Sequence, residues 1–364
     1  MIYRAIGLMS GSSLDGLDIA FVHLHENAGK WSFDIIHADC YVYSTAWKNK
    51  LQSSTTLNAL NYLLLDTEYG HYTGSLVNEF INKYQLEYKV QLIASHGHTT
   101  FHVPYKKMTA QLGDGAAIAA ETGIPVVSSL RALDVALGGE GAPIVPIGDK
   151  LLFSDYPYCL NIGGIANISS VQHGEYLSFD ICAANRVLNM LSEKLGKDYD
   201  NEGSIARTGS VNETLLQRLN ELDYYGKAYP KSLANSFGID IVFPMLENSG
   251  CSTEDLLATY AEHIAVQVKN AIEKISGYQT AEAKLLATGG GALNNFLMER
   301  IQHHLSSLNI IVVVPAQNVV LYKEALVMAL IGVLRWREEN NVMATVTGAS
   351  RNSINGAIWM GAEA

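Results

Sequence analysis

The feature that most constrains the fold is an order of predicted elements that occurs twice. Apolar runs separated by short turns predict three sequential strands in each half of the chain, and helical spacing of apolar residues follows each set. In the first half these elements cover residues 3–8, 19–24, 31–43 and 58–85, and in the second half 158–162, 165–171, 176–179 and 184–195. The recurrence predicts an α/β protein built by internal duplication of one β-β-β-α unit.

The chain length of 364 residues fits two domains, each large enough for a core of its own. A glycine-rich crossing at 137–146 follows the first set of elements, so we place the domain boundary and a hinge near residue 131. The expected domains are 1–131 and 132–344, with 345–364 packing back on the first.

The net charge and the cysteine content argue against several classes of protein. The net charge of −11 argues against a nucleic-acid surface. None of the four cysteines forms a Cys-x-x-Cys pair, which predicts neither a zinc site nor a disulfide framework and fits a reducing cytoplasm. The start lacks a signal-peptide pattern, and the longest apolar segment, 325–334, is about half a membrane span. We expect a cytoplasmic protein without a membrane or nucleic-acid partner.

Three glycine-rich turns each follow an apolar strand, at 10–16, 161–164 and 288–291. Small residues expose backbone N–H groups there, which suits a phosphate group. None matches the Walker pattern or the dinucleotide fingerprint, and purely structural turns are the alternative. In a duplicated frame the first two turns would face each other across a cleft and grip phosphates, while the third would carry a nucleoside.

Polar residues at strand and helix ends are the remaining candidates. Asp180 comes where a strand gives way to a helix and is either a general base or a helix cap. His96 and His98 follow a short strand and suit substrate hydrogen bonding or mere loop polarity, and no further ligand completes a metal site. Arg131 is a hinge residue or a sugar or phosphate contact, and Glu324 favours a helix N-terminus or binds sugar hydroxyls.

The motifs taken together resemble the anhydro-N-acetylmuramic acid kinase family nearly end to end. They are Gly-Leu-Met-Ser-Gly-Ser-Ser-Leu-Asp-Gly-Leu-Asp at 7–18, Ser-His-Gly at 95–97, Gly-Ala-Pro-Ile-Val-Pro at 141–146, Asn-Ile-Gly-Gly-Ile-Ala-Asn at 161–167, Thr-Gly-Gly-Gly-Ala at 288–292 and Lys-Glu-Ala at 323–325. That family belongs to the sugar kinase, actin and heat-shock chaperone ATPase superfamily. The resemblance implies a duplicated actin-like ATPase (ribonuclease H-like) fold, with two domains around a central cleft.

The resemblance also implies a reaction. Water opens the anhydro bridge of 1,6-anhydro-N-acetylmuramic acid, and the freed 6-oxygen takes the γ-phosphoryl group of ATP, in peptidoglycan recycling. By position, Asp180 resembles the general base, and His96, His98, Arg131 and Glu324 match substrate contacts. ATP, with Mg²⁺, would be held by Gly11, Ser12, Ser13, Leu14, Asp15, Gly16, Leu17, Asp18, Asn161, Gly163, Gly164, Gly289, Gly290 and Gly291. The family further suggests a homodimer.

This sequence departs from the family pattern in three places. The segment Asp-Ile-Cys-Ala-Ala-Asn at 180–185 replaces Asp-Thr-Gly-Pro, a small residue and Asn; His98 stands where Gln is usual; and Leu-Ala-Asn-Ser at 233–236 replaces Thr-Gly-Arg-Glu. Alternatives are therefore a kinase for a related anhydro or N-acetyl sugar and a non-catalytic ATP-binding member. An ATPase with a protein client is disfavoured, because no residues remain for a client-binding domain.

Overall fold

The structure is a computed structural model that describes residues 1–11, 13–229, 231–234, 236–276 and 282–361. The chain divides into two compact units. The first comprises Met1–Phe153 together with the chain from Tyr322 onward, and the second is Ser154–Leu321. Each unit has its own apolar core.

The first unit is built on one mixed sheet. Its strands are β1 (Ile2–Ser10), β2 (Gly16–Asn27), β3 (Lys30–Val42), β4 (Leu92–Val103), β5 (Met108–Leu112) and β6 (Val126–Ser128). β1, β2 and β3 form the expected antiparallel meander, while β4 pairs with β1 and β6 pairs with β4 in parallel. β5 pairs with β4. The middle parts of the central strands β1 and β2 are buried because helices cover the sheet, whereas the edge strand β3 alternates between exposed and half-buried residues.

Helices of very different length accompany this sheet. They are α1 (Thr45–Ser53), α2 (Ala59–Tyr84), α3 (Gly115–Thr122), α4 (Ala132–Ala136) and α5 (Pro146–Leu152). Asn58 and Asp114 cap α2 and α3 by accepting backbone N–H bonds with their side chains. The long helix α2 packs Leu76, Val77 and Phe80 into the first core.

The second unit repeats the plan of the first. Its strands are β7 (Tyr158–Ile162), β8 (Ile165–Gln172), β9 (Glu175–Ala183), β10 (Ala283–Thr288) and β11 (Ile310–Val313), in the order β11-β10-β7-β8-β9. The first sheet contains the order β6-β4-β1-β2-β3, with the same parallel and antiparallel pairings. Because two sheets of one chain share this order, the predicted duplication and the actin-like fold are confirmed.

Helices of the second unit pack on its sheet around α10. They are α6 (Asn185–Glu193), α7 (Glu213–Asn220), α8 (Asp223–Gly226), α9 (Phe243–Glu247), α10 (Thr253–Ser276) and α11 (Asn295–Ser306). α10 buries Leu257, Ile264 and Val268 in the second core. The longest apolar segment forms α12 (Gln317–Trp336), where non-helical backbone at Tyr322 coincides with the return of the chain to the first unit.

The C-terminal part completes the first unit. Gly7 in β1 lies so close to α12 that a Cβ atom there would fall 1.8 Å from the Ala325 carbonyl oxygen. After α13 (Ala344–Thr347), the last strand β12 (Ala357–Trp359) pairs antiparallel with β6. The sheet of the first unit is therefore made from both ends of the chain.

The boundaries between the units lie after Phe153 and after Leu321, and not near residue 131 and at residue 344 as predicted. The glycine-rich crossing belongs to the first unit, because hydrogen bonds tie it to α4 and to the C-terminal part. The N–H of Gly141 donates to Asp134 at 2.8 Å, and the N–H of Glu140 donates to the Thr347 carbonyl at 2.8 Å. A glycine-rich composition marks a break in regular structure, and here that break lies inside a unit.

Candidate active site

The opening glycine turn connects β1 and β2. The register pairs Ser10 with Leu17, and the N–H of Leu14 donates to the Gly11 carbonyl at 3.4 Å. Leu14 has a positive φ of 60°. Ser13 and Asp15 are exposed, while Ser12 lies outside the described residues.

Two glycines of this hairpin have different reasons to be glycine. A Cβ atom at Gly16 would lie 2.5 Å from the Tyr41 carbonyl oxygen, so packing against β3 requires glycine there. At Gly11 the nearest atom to such a Cβ would be the Ser13 hydroxyl oxygen at 3.5 Å, so protein packing does not require it. The tip of the turn thus keeps a bare backbone surface that a phosphate group can approach.

A buried polar chain supports the base of the hairpin. Tyr43 donates a hydrogen bond to the Ser10 hydroxyl at 2.8 Å, and Ser10 in turn contacts Nδ1 of His98 at 3.1 Å. The Tyr43 and Tyr69 hydroxyls lie 2.5 Å apart. His98, which is buried, therefore links the hairpin to β4. Burial lowers the pKa of His98 below its ordinary value.

His96, Arg131, Glu324 and Asp18 form an electrostatically connected group in the first unit. Burial and the neighbouring Arg131 charge lower the pKa of His96 to about 3. Burial also lowers the pKa of Arg131 to about 10, against the opposing effect of Glu324. Burial and the charge of Asp18 raise the pKa of Glu324. The structure thus brings together His96, Arg131 and Glu324, and the charge of the fourth predicted contact, His98, also acts on His96.

Two polar atoms of this group are available to a ligand. Nδ1 of His96 lies 2.7 Å from the Gly97 carbonyl oxygen. Because a carbonyl oxygen can only accept, Nδ1 carries the proton and donates this bond, and Nε2 of the neutral ring is an acceptor. Nε2 of His96 and Nε of Arg131 are both buried without a hydrogen-bond partner among the described residues. A cavity of about 220 Å³ adjoins His96 and is lined by polar residues that include Ser95, Ser128 and Asp66. Buried polar groups of this kind are normally satisfied, so a polar ligand is the natural partner.

In the second unit, the other two glycine turns lie side by side. They follow the parallel neighbours β7 and β10, in which Asn161 pairs with Thr288. A Cβ atom at Gly289, whose φ is +79°, would lie 2.7 Å from the Ile162 carbonyl oxygen, and one at Gly291 would lie 2.3 Å from Ile162 Cγ2. Close packing of the two turns therefore requires both glycines.

The remaining glycines of these turns leave open surface. Cβ atoms at Gly163, Gly164 and Gly290 would approach no surrounding atom closer than 3.7 Å. Packing does not explain glycine at these three positions. A cradle with no side chains in the way fits the phosphates and the nucleoside of a nucleotide.

The start of α6 fastens the second turn. The N–H groups of Ala184 and Asn185 donate to the carbonyls of Gly164 and Gly163 at 2.8 and 3.0 Å. The Asn185 side-chain amide donates to the Ile162 carbonyl at 3.1 Å. The segment 180–185 therefore connects the turn to Asp180 even though its sequence departs from the family pattern.

Asp180 lies within β9, three residues before its end, and does not end the strand as predicted. It pairs with Asn167, and the register shifts between Ala166 and Asn167 so that Ile181 forms a bulge. Extra residues of this kind redirect side chains and are common beside active sites. Asp180 caps no helix, because the residue before α6 is Ala184 and no side chain caps that helix.

Hydrogen bonds hold Asp180 on several sides. The N–H of Leu233 donates to Oδ2 of Asp180 at 2.9 Å, and the N–H of Asp180 donates to the Lys231 carbonyl at 3.1 Å. The Tyr224 hydroxyl donates to the Asp180 carbonyl at 2.7 Å. Lys231 closes the ring through a bond from its ammonium to the Tyr224 carbonyl at 3.1 Å. Burial raises the pKa of Asp180, and the Leu233 bond opposes that rise.

Sequence reasoning missed Tyr224 and Arg186. Tyr224 is distant in sequence from Asp180, and only the folded chain brings the two together. Arg186 directly follows Asn185, and its guanidinium lies beside Gly164. An arginine at the predicted start of a helix that follows a candidate catalytic strand was the available signal.

The described ranges contain neither a cluster of metal-ligating side chains nor a helix that could span a membrane. No group of three or more His, Cys, Asp or Glu residues placed to hold a metal occurs in that part of the chain. None of the helices there combines the length and the apolar character needed to cross a bilayer.

Comparisons with known proteins cover nearly the whole chain. The model of a family described as anhydro-N-acetylmuramic acid kinase matches residues 3–361. Curated proteins of that name from Vibrio parahaemolyticus and Aliivibrio fischeri are each 34% identical to this chain. The matches cover 97% and 98% of this chain, and 97% and 99% of the respective relative. Among solved structures, the activator of the 2-hydroxyisocaproyl-CoA dehydratase from Clostridium difficile with bound ADPNP is 15% identical, with a TM-score of 0.47 over 92% of this chain and 96% of its own.

Proposed function

This chain belongs to the anhydro-N-acetylmuramic acid kinase family, and we propose how its residues divide the work of that reaction. The protein is an ATP-dependent kinase of peptidoglycan recycling. It hydrolytically opens 1,6-anhydro-N-acetylmuramic acid and phosphorylates the 6-oxygen, giving N-acetylmuramic acid 6-phosphate and ADP.

Asp180 is the general base of this proposal. The substrate has no free 6-hydroxyl to deprotonate, because that oxygen is part of the anhydro bridge, so the base must act on water. The Leu233 N–H occupies Oδ2 of Asp180, while no hydrogen bond from the described residues reaches Oδ1. A carboxylate fixed through one oxygen can accept the proton of a water molecule with the other. This fixed carboxylate is the observation that carries the proposal.

The two bond changes are coupled. Water attacks the anomeric carbon while Asp180 accepts its proton, and the bond from that carbon to the 6-oxygen breaks. The electron pair left on the 6-oxygen attacks the γ-phosphorus, and the bridging oxygen leaves with ADP. Water thus meets one face of the sugar as in inverting glycosidases, but phosphorus takes the place of an acid on the leaving oxygen.

The glycine turns bind the nucleotide in this proposal. The bare surfaces at Gly11, Gly163, Gly164 and Gly290 receive phosphates and nucleoside through backbone N–H groups. Mg²⁺ accompanies ATP and neutralises charge on the transferred group. Such positioning and charge neutralisation are most of what phosphoryl transfer requires.

Three residues of the first unit contact the sugar. Neutral His96 accepts a hydrogen bond at Nε2, Arg131 donates from a guanidinium with a free Nε, and Glu324 binds hydroxyl groups. His98 was also expected to contact the substrate. Its hydrogen bond to Ser10 supports a different role, in which His98 orients the hairpin. His96 and Arg131 support a polar ligand because their buried atoms would otherwise lack partners.

Isotope labelling tests the assignment. The protein is incubated with Mg-ATP and the anhydro sugar in ¹⁸O water, and the product is analysed by mass spectrometry. We expect one ¹⁸O atom on the ring-opened sugar and none in its phosphate. Asp180→Asn should slow formation of this product by about 10²–10⁴-fold, while Asp198→Asn, which changes an exposed carboxylate of the same unit, should leave it unchanged. Undiminished product from Asp180→Asn would exclude Asp180 as the base.

Location and assembly complete the proposal. A kinase of this kind works in the cytoplasm, where ATP is available, and the family resemblance favours a homodimer. Light scattering on the purified protein distinguishes a dimer from a monomer of 39.6 kDa.

A further inference from the structure

Arg186 is a cation of the second unit without a counter-charge. Its Nε atom is buried and has no hydrogen-bond partner in the described part of the chain, and it enters no ion pair there. Arg207 and Arg300 of the same unit pair instead with Glu299 and Glu262, at 2.7 and 2.6 Å. A partly buried charge without a partner is unfavourable, so a guanidinium held in this way points to an anion that is supplied from outside the protein.

The position of the guanidinium identifies the kind of anion. A Cβ atom on Gly164 would lie 3.8 Å from Nε and 4.0 Å from Nη2 of Arg186, so the side chain flanks the bare second turn. Asn185, the preceding residue, is bonded to Ile162 at the other side of the same turn. Backbone and side-chain hydrogen bonds thus attach the start of α6 to the turn, and they set the position from which the Arg186 side chain extends.

We infer that Arg186 binds the phosphate chain of the nucleoside di- or triphosphate at the Gly163–Gly164 turn. The inference rests on the proposed function, in which that turn receives the phosphates of ATP. The planar guanidinium presents donors in a fork that matches two phosphate oxygens. During transfer, negative charge develops on the oxygen that leaves with ADP, and a cation at this turn stabilises it.

Nucleotide binding to the full-length protein tests the inference. Dissociation constants for ADP and for adenosine are measured by calorimetry for the wild type, Arg186→Met and Arg186→Lys. We expect Arg186→Met to weaken ADP binding about 10- to 100-fold, which is the range for a hydrogen bond to a charged group. Adenosine, which has no phosphate, should bind within about twofold of the wild-type constant. Arg186→Lys keeps the charge but not the forked donor geometry, so its dissociation constant for ADP should lie between those of the wild type and of Arg186→Met.

A matched control and the salt dependence sharpen the test. Arg207→Met removes an arginine that is paired with Glu299 on the same unit and should leave both constants unchanged. Raising the ionic strength should weaken ADP binding to the wild type more than to Arg186→Met, because screening acts on the charge pair.

Two results would overturn the inference while leaving the proposed function in place. One is ADP binding to Arg186→Met that equals the wild type. The other is an equal loss of ADP and adenosine binding, which would assign Arg186 to the structure of the turn and not to the phosphates. Failure of the wild type to bind either nucleotide or nucleoside would instead contradict the proposed function, and the inference with it.

Discussion

At the scale of single residues, the environment of Asp180 determines how the reaction depends on pH. Burial raises its pKa above the ordinary 3.8, and the Leu233 N–H limits that rise. A general base works only when deprotonated, so kcat/KM should decline as the pH falls through this raised pKa. The acidic limb of the pH profile should therefore lie above pH 3.8.

Substitution of the base should remove this limb. Asp180→Asn is expected to lower kcat by about 10²–10⁴-fold, the usual contribution of a general base, and to leave the KM for ATP within about twofold. Steady-state kinetics between pH 4 and 9 measure both effects. An unchanged acidic limb in the residual activity of the variant would assign the limb to another group.

A single hydrogen bond also explains why the sequence at 233–236 can differ from the usual pattern of the family. The contact to Asp180 comes from the backbone N–H of Leu233, and any residue except proline supplies such a group. The Leu233 side chain is buried in the second core. The family's usual polar residue can therefore be replaced at this position without loss of the bond to the base.

At the scale of elements, the ring from Tyr224 through Asp180 and Lys231 makes Tyr224 a positioning residue. Tyr224→Phe removes the donor to the Asp180 carbonyl and loosens β9 against Lys231 and Leu233. We expect kcat to fall about tenfold with little change in either KM. The acidic limb should move to higher pH, because a weaker Leu233 bond lowers the pKa of Asp180 less.

Tyr229 provides the matched control for that variant. Its hydroxyl donates to the Gln172 side chain at 2.7 Å and lies 3.2 Å from the Lys274 carbonyl oxygen, and it has no bond to Asp180. Tyr229→Phe should therefore cost comparable stability without moving the acidic limb. If both variants behave alike in kcat and in pH profile, Tyr224 contributes to stability only.

The elements also show what a sequence can and cannot reveal. The meanders and α2 were predictable because alternating or helically spaced apolar residues continue through each of them. A short strand was predicted to precede His96 and His98, but β4 includes both and continues to Val103, because pairing with β5 satisfies the backbone of its polar residues. β5 was itself missed, since three of its five residues are only half-buried. Tertiary pairing decided both outcomes.

The site was predictable in part for the same reason. Glycine turns after apolar strands were visible in the sequence, and so was a carboxylate near the start of a helix. The ring around Asp180 depends on residues 44 to 53 positions away, such as Tyr224 and Leu233. No local pattern encodes such a distance, so the immediate surroundings of the base required the structure.

At the scale of the whole molecule, the first unit depends on residues from both ends of the chain. Asp134, which is fully buried, accepts hydrogen bonds from the Gly141 N–H and the Thr347 hydroxyl, both at 2.8 Å. Its own N–H donates to the Asn355 side chain at 2.9 Å. The carboxylate thus joins the glycine-rich crossing to the C-terminal part.

Asp134→Ala should therefore destabilise the first unit selectively. Two buried donors lose their acceptor, at about 1–3 kcal/mol each, so the free energy of unfolding should fall by about 2–6 kcal/mol. The tryptophans Trp31, Trp47, Trp336 and Trp359 all belong to the first unit, and the sequence contains four. Tryptophan fluorescence during urea unfolding consequently reports on that unit alone.

The same fluorescence separates this prediction from general destabilisation. Asp34→Ala removes an exposed carboxylate whose one ion pair among the described residues is with His25, and it should change the tryptophan transition by no more than about 0.5 kcal/mol. ADP, bound in our proposal by the glycine turns, should raise the overall unfolding midpoint of the wild type and of both variants. A tryptophan midpoint that Asp134→Ala leaves in place would contradict this role of the carboxylate, and it would leave contacts such as the pairing of β12 with β6 to hold the C-terminal part.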